Sequence, residues 1–139
     1  MIALDSSAVI CLVEHHEPAA RHISSEILSH EDRIVVSTVA LTECLVGPLK
    51  ANDRELYWRY KAFFDQPQVQ VRDLSSSIAE QAAALRATFG LKVIDSIHLA
   101  TAIECRADKF VSTDQNDFAR CIGHVDLAVR IIARTPDRN

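Results

Sequence analysis

Met1-Ile2-Ala3-Leu4-Asp5-Ser6-Ser7 opens the chain. Met1 to Leu4 is a short apolar run of the kind that forms a buried strand. Asp5-Ser6-Ser7 then supplies side-chain oxygens that can cap a helix through Ala8 to Glu14. A strand that passes directly into a capped helix is the first half of a β-α unit, and the rest of the chain repeats that pattern.

A second helix is expected after Pro18, with Ala19, Ile23, Ile27 and Leu28 on its buried side. Arg33 to Ser37 is a β-branched run suited to a second strand. Val39 to Leu45 reads as a helix that stops near Gly47-Pro48. Asn52 or Asp53 caps the next helix, which carries Leu56, Tyr60, Phe63 and Phe64 at helical spacing, and Val69 to Val71 is a third strand. The helix from Ser75 to Phe89 has Ser77 and Glu80 at capping-box spacing, an apolar stripe of Ile78, Ala82, Leu85 and Phe89, and Gly90 at the left-handed C-cap. Ile94 to Cys105 is a further helix, Lys109 to Ser112 a fourth strand, Asp117 to Cys121 a short helix and Val129 to Ile132 a last strand. Strands alternating with helices imply right-handed crossovers and a mostly parallel sheet covered on both faces. In such α/β folds the functional crevice lies beyond the carboxyl ends of the strands.

The length of 139 residues fits one domain, 1–139, and 48% hydrophobic with 24% charged residues is ordinary for a globular protein. A net charge of −4 argues against a binder that reads nucleic acid with a broad basic face. It leaves room for an enzyme that meets a phosphodiester through metal ions and a local basic rim. Cys11, Cys44, Cys105 and Cys121 form no CxxC pair and read as buried reduced thiols rather than a zinc site. No apolar run is long enough to cross a bilayer, and the apolar start lacks a basic leader and is interrupted by Asp5. A cytoplasmic protein without membrane contact is expected.

Four acids fall where the crevice should be. Asp5 ends the first strand, Asp114 follows the fourth, and Glu43 and Asp95 lie on helices with apolar neighbours on both sides. Taken singly, Asp5 and Asp95 also read as helix N-caps, Glu43 as a solvent-facing residue and Asp114 as a turn former. Those readings leave their joint placement unexplained. Clustered carboxylates repel, and burial raises the cost of their charge, so such a cluster calls for a cation. Oxygen ligands without an organised His/Cys set favour Mg²⁺ or Mn²⁺ over Zn²⁺.

Four motifs in order carry a family resemblance. Ile2-Ala3-Leu4-Asp5-Ser6-Ser7 and Thr42-Glu43-Cys44-Leu45-Val46-Gly47 resemble the first two motifs of PIN domains. Gly90-Leu91-Lys92-Val93-Ile94-Asp95-Ser96-Ile97-His98-Leu99-Ala100 is similar to the third, and Phe110-Val111-Ser112-Thr113-Asp114, with Phe118 following, to the fourth. Their spacing covers nearly the whole chain, whose short length is similar to that of the toxin branch called VapC. The resemblance implies a PIN-like three-layer α/β/α sandwich and a Mg²⁺- or Mn²⁺-dependent endoribonuclease that acts as the toxin of a toxin–antitoxin pair. Its catalytic residues would be Asp5, Glu43, Asp95 and Asp114. Asp5, Asp95 and Asp114 would hold the ion, with Glu43 contributing directly or through a water, and an activated water would attack RNA to leave a 5′-phosphate and a 3′-hydroxyl. The resemblance also implies a homodimer and a small antitoxin protein; the acidic crevice is a socket for a basic side chain that such a partner inserts.

The fourth motif admits a second alignment. The acid usually falls two residues after a Ser or Thr, which Ser112 and Asp114 satisfy; counting from Thr113 reaches Gln115 and makes Asp117 a supplementary ligand. Ser6 and Thr113 are candidates to hydrogen-bond the carboxylates or a phosphate, and Arg86 and Lys92 to bind phosphate. His98 faces either the site or the core, His15 and His16 read as solvated, and Tyr57 and Trp58 as a core or subunit contact. Two rivals stand beside the nuclease: a PIN-like protein-binding module without catalysis, and a haloacid-dehalogenase-type phosphatase with Asp5 as nucleophile. The latter normally has a second acid two residues on, where Ser7 stands.

Overall fold

β-Branched and apolar residues in the runs Ile2–Leu4 (β1), Ile34–Ser37 (β2), Val69–Arg72 (β3), Lys109–Ser112 (β4) and Ala128–Ile131 (β5) build a five-stranded sheet. The computed structural model describes residues 1–134. The strand order is β3-β2-β1-β4-β5, and every neighbouring pair is parallel. Among the described residues, six α-helices lie between the first four strands: Ser6–Val13 (α1), Ala19–Leu28 (α2), Val39–Ala51 (α3), Arg54–Phe64 (α4), Ser76–Phe89 (α5) and Val93–Glu104 (α6).

Side chains alternate across the sheet, so consecutive residues feed different cores. Ile2, Leu4, Ile34, Val36 and Val111 pack with α1 to α4 on one face. Ala3, Val35 and Phe110 pack with α5 and α6 on the other, where Phe110 and Phe118 meet edge-on at 4.9 Å. The result is a three-layer α/β/α sandwich. From β1 the chain moves outward to β2 and β3, then returns over the opposite face through α5 and α6 to β4 and β5. The direction of winding reverses between β1 and β4, the point at which α/β sheets open a crevice. Parallel pairing of Leu4 with Val111, extended by Asp5 N–H donating to the Val111 carbonyl, sets Asp5 beside Ser112 at that point.

Several local expectations are corrected. α3 does not stop at Gly47-Pro48 but runs to Ala51. Pro48 removes one amide donor near the helix end, its ring is buried, and Asn52 closes the helix in a left-handed conformation at φ 55°. Leu28 is 70% exposed, because the buried stripe of α2 is Ala19, Ala20, Ile23 and Ile27 and Leu28 falls off it. The cap of α5 is Ser75, whose hydroxyl accepts from the Ile78 amide, while Ser77 is already inside the helix and donates to Glu104 on α6. The short helix expected from Asp117 is a single 3₁₀ turn, Ala119–Cys121, because Asp114 first folds residues 114 to 117 into a turn of their own.

The cysteines are free, three of them buried and Cys105 half-buried. Among the described residues, no helix is long and apolar enough to cross a membrane.

Candidate active site

Asp5 caps α1 directly beyond the end of β1. Its Oδ1 accepts from the Ala8 amide at 3.0 Å and from the Ser7 hydroxyl at 2.7 Å, and its Oδ2 accepts from the Ser112 hydroxyl at 2.5 Å. The same serines reach across to the next strand end. Ser7 Oγ accepts from the Thr113 amide at 3.0 Å, and Ser112 Oγ accepts from the Asp114 amide at 2.9 Å. Two hydroxyls thus fasten the end of β1 to the end of β4. Burial pushes the Asp5 carboxyl above its usual range, and the hydrogen bonds from Ser112, Ser7 and Ala8 partly offset it.

Asp95, Asp114 and Asp117 converge beyond the end of β4. One oxygen from each lies within 4.8 Å of the others. Asp95 is not an N-cap: Lys92 occupies the extended cap position without a side-chain bond, which puts Asp95 inside the first turn of α6. Asp95 Oδ2 is buried without a hydrogen-bond partner. Burial, the neighbouring Asp117 carboxylate and the charges of Asp114 and Asp5 push the Asp95 carboxyl up to about 7. Asp117 is held below its usual range by the bonds to Asp95 and Asp114, aided by Lys92, whose Nζ stands 3.6 Å from Asp117 Oδ2. Asp114 Oδ1 accepts from the Asn116 and Asp117 amides, so Asp114 also builds the turn that carries its neighbour. Three carboxylates offering hard oxygen donors, one of them with a buried unpartnered oxygen, fit a divalent cation.

Glu43 belongs to a different arrangement. Its Oε1 accepts from His98 Nε2 at 2.6 Å, with His98 buried and its Nδ1 unpartnered. Burial pushes the Glu43 carboxyl up, but hydrogen bonds from His98 and Ser6 outweigh it and leave the group below its ordinary range. Neither Asp5 nor Glu43 places an oxygen in the 4.8 Å group, whereas Asp117 does.

The remaining candidates lie outside the triple-aspartate group. Ser6 is half-buried in the first turn of α1, Thr113 is buried with its amide on Ser7, and Arg86 is exposed in the last turn of α5. His16, expected to be solvated, takes a hydrogen bond on Nδ1 from Arg134 at 2.8 Å. Trp58 is not core: it is 64% exposed and lines a surface pocket with Pro48, Leu49 and Tyr57. Sequence reading missed the work of Ser7 and Ser112. Their signal was spacing, since each stands two residues from an acid at a strand end.

Residues 2–122 match the family model for the PIN domain. A comparison with curated proteins finds no match. Solved structures match across most of the chain. A toxin–antitoxin complex from Klebsiella pneumoniae superposes with a TM-score of 0.70 and 24% identity, over 86% of this chain and 91% of that one. VapBC2 from Rickettsia felis, bound to a DNA fragment from its promoter, gives 0.73 and 19% over 95% and 99%. VapC20 from Mycobacterium tuberculosis, a toxin that cleaves the sarcin-ricin loop, gives 0.71 and 15% over 90% and 98%. At these identities the likeness is one of fold.

Proposed function

The chain belongs to the PIN domain family, and from that premise we propose that it is an endoribonuclease and the toxin of a toxin–antitoxin pair. The observation that carries the reading is the unpartnered Asp95 oxygen within a triple-aspartate group at the reversal point of the sheet. A nuclease of a polyanion needs positive charge there, and this chain supplies oxygen ligands for it.

Asp95, Asp114 and Asp117 would hold Mg²⁺ or Mn²⁺, with the Asp5 carboxyl beside them held in place by Ser7 and Ser112. When bound, the ion neutralises charge on the scissile phosphate and makes a water more acidic. Glu43, kept deprotonated by its hydrogen bonds, accepts the proton of the attacking water. Attack in line on phosphorus expels the 3′ oxygen and leaves a 5′-phosphate. Ser6, Thr113 and Arg86 are proposed contacts to the RNA backbone, and Lys92 adds a cation at the rim. A role for Asp5 as nucleophile in phosphate-ester hydrolysis is disfavoured, because both its oxygens serve the strand clamp and Ser7 stands where that chemistry needs a second acid.

The proposal extends to partners. The protein acts as a homodimer and is silenced by a small antitoxin that inserts a basic side chain among the acids. Support comes from the toxin–antitoxin complexes among the matching folds and from the charge of the crevice.

Incubating the purified protein with total RNA, in chelator and then with Mg²⁺ or Mn²⁺, tests the reading. Cleavage that needs the ion and leaves 5′-phosphate ends supports it. Release of inorganic phosphate from small esters would move the assignment to a phosphatase, and neither activity would move it to a binding module.

A further inference from the structure

His98 leaves one ring nitrogen without a partner in the protein interior while the other grips Glu43. The contact joins α6 to α3 across 55 positions of sequence, and the His98 side chain is 1% exposed against 32% for Glu43. A carboxylate can only accept, so Nε2 carries the proton in this bond. Nδ1 is buried without a hydrogen bond, which costs free energy. An apolar side chain of similar volume would fill the space without that cost, so the benefit of a histidine here lies in its hold on Glu43.

That hold has a geometric consequence. With Oε1 engaged by His98, Glu43 stays out of the group formed by Asp95, Asp114 and Asp117. We propose that His98 is a positioning residue that fixes Glu43 as a proton acceptor beside, rather than within, the cation site. The proposal rests on the nuclease reading for its catalytic half only; the placement of Glu43 outside the cation site stands apart from it.

The test compares His98→Leu, which removes the donor, with His98→Gln, which returns an N–H at similar reach, and with Glu43→Gln and Asp95→Asn. Cation binding is read without catalysis, from the rise in Tm on titration with Mn²⁺. The Mn²⁺ midpoint is expected to stay within about threefold of wild type in His98→Leu and Glu43→Gln and to weaken at least about tenfold in Asp95→Asn. On an RNA fragment carrying a mapped cut site, kcat of His98→Leu falls about 100-fold with KM within about twofold. His98→Gln regains at least about tenfold of that loss, and His98→Leu/Glu43→Gln is no slower than Glu43→Gln alone. A Mn²⁺ midpoint weakened about tenfold in Glu43→Gln or His98→Leu would make Glu43 a direct ligand and overturn the placement. Equal losses in His98→Leu and His98→Gln with Glu43→Gln still active would reduce His98 to a packing residue. Wild-type protein that cuts no RNA overturns the nuclease reading instead, and the Mn²⁺ midpoints then decide the placement on their own.

Discussion

The Ser112 hydroxyl donates to Asp5 Oδ2 at 2.5 Å and accepts from the Asp114 amide at 2.9 Å, so one side chain ties together an acid of β1 and an acid beyond β4. The crevice between those strands exists because the winding of the sheet reverses there. Its shape is then fixed by this hydroxyl and that of Ser7.

Ser112→Ala should therefore damage stability and activity together. Removing the hydroxyl leaves a fully buried carboxylate oxygen and an amide without their partner, a loss of about 1–3 kcal/mol. RNA cleavage should fall further than stability accounts for, because Asp5 and Asp114 lose their common register. Ser112→Thr keeps the hydroxyl and should retain most activity. Urea denaturation alongside cleavage rates checks this; an alanine variant with wild-type rates would show that the clamp does not organise the acids.

Asp95→Asn should fold and yet cut RNA about 1000-fold more slowly or worse, the size of effect expected when several kcal/mol of charge stabilisation is lost. In chelator the variant should be as stable as wild type or more so at pH 8, because one of several repelling carboxylates is gone. Asp95 caps nothing, so its helix has no reason to fray. A large drop in chelator Tm would assign Asp95 a structural role.

The same carboxyl sets a pH dependence. Folding raises the Asp95 pKa from 3.8 to about 7, so the folded state binds the proton more tightly than the unfolded chain. The stability this contributes is complete below pH 3.8 and is lost as pH rises through about 7. Asp5, also raised by burial, adds in the same direction. Asp117, lowered, has the opposite sign, but its contribution is lost only as pH falls below the ordinary carboxylate range. Metal-free protein should therefore melt lower at pH 8 than at pH 5, and Asp95→Asn should flatten that slope. Saturating Mn²⁺ should raise Tm more at pH 8, where the ion no longer competes with a proton. A melting temperature in chelator that climbs from pH 5 to 8 would contradict the sign.

Much of this was legible in the sequence, for identifiable reasons. Short apolar runs such as Ile34-Val35-Val36 and the Asp5-Ser6-Ser7 cap mark the β-α alternation locally, and the alternation alone puts the site at strand ends. Boundaries failed where a single residue carries two signals: Pro48 is a helix breaker that here sits in the final turn, and Ser75 and Ser77 are both good caps. The contact of His98 with Glu43 was hidden because it joins two helices far apart in the chain. Asp117 could be held only as an alternative ligand, since a turn built by Asp114 decides where its side chain arrives.

That turn ranks Asp114 above Asp117. Asp114→Asn changes a candidate ligand and also weakens the charged acceptor that holds the Asn116 and Asp117 amides, whereas Asp117→Asn changes a candidate ligand and its ion pair with the exposed Lys92. A Mg²⁺ titration of RNA cleavage should show the larger loss, about tenfold or more beyond Asp117→Asn, for Asp114→Asn. The reverse order would make Asp117 the principal ligand and Asp114 its scaffold.

The metal-free crevice concentrates Asp95, Asp114 and Asp117 within 4.8 Å and leaves one Asp95 oxygen unbonded, and an arginine guanidinium answers both features at once. Its planar fork can bond a carboxylate through two N–H groups, and its fixed charge replaces the cation that the acids otherwise require. A small protein that delivers such a side chain would therefore silence the enzyme by competing with the ion. Apolar surface for the rest of its contact is present on α3 and α4, where Leu49 and Trp58 are 65% and 64% exposed beside a pocket lined by Pro48 and Tyr57. Tagged protein expressed in its native host should bring down a small basic-tipped chain, and the pair should cut RNA more slowly than the free enzyme. Association should slow by about tenfold or more as salt is raised, because the docking charges are unlike. Replacing the partner's inserted arginine by alanine should restore cleavage without dissolving the complex, since the α3–α4 contact remains. A co-purifying chain that leaves cleavage untouched, or binding that is indifferent to salt and to that arginine, would remove the acidic crevice from the account of inhibition.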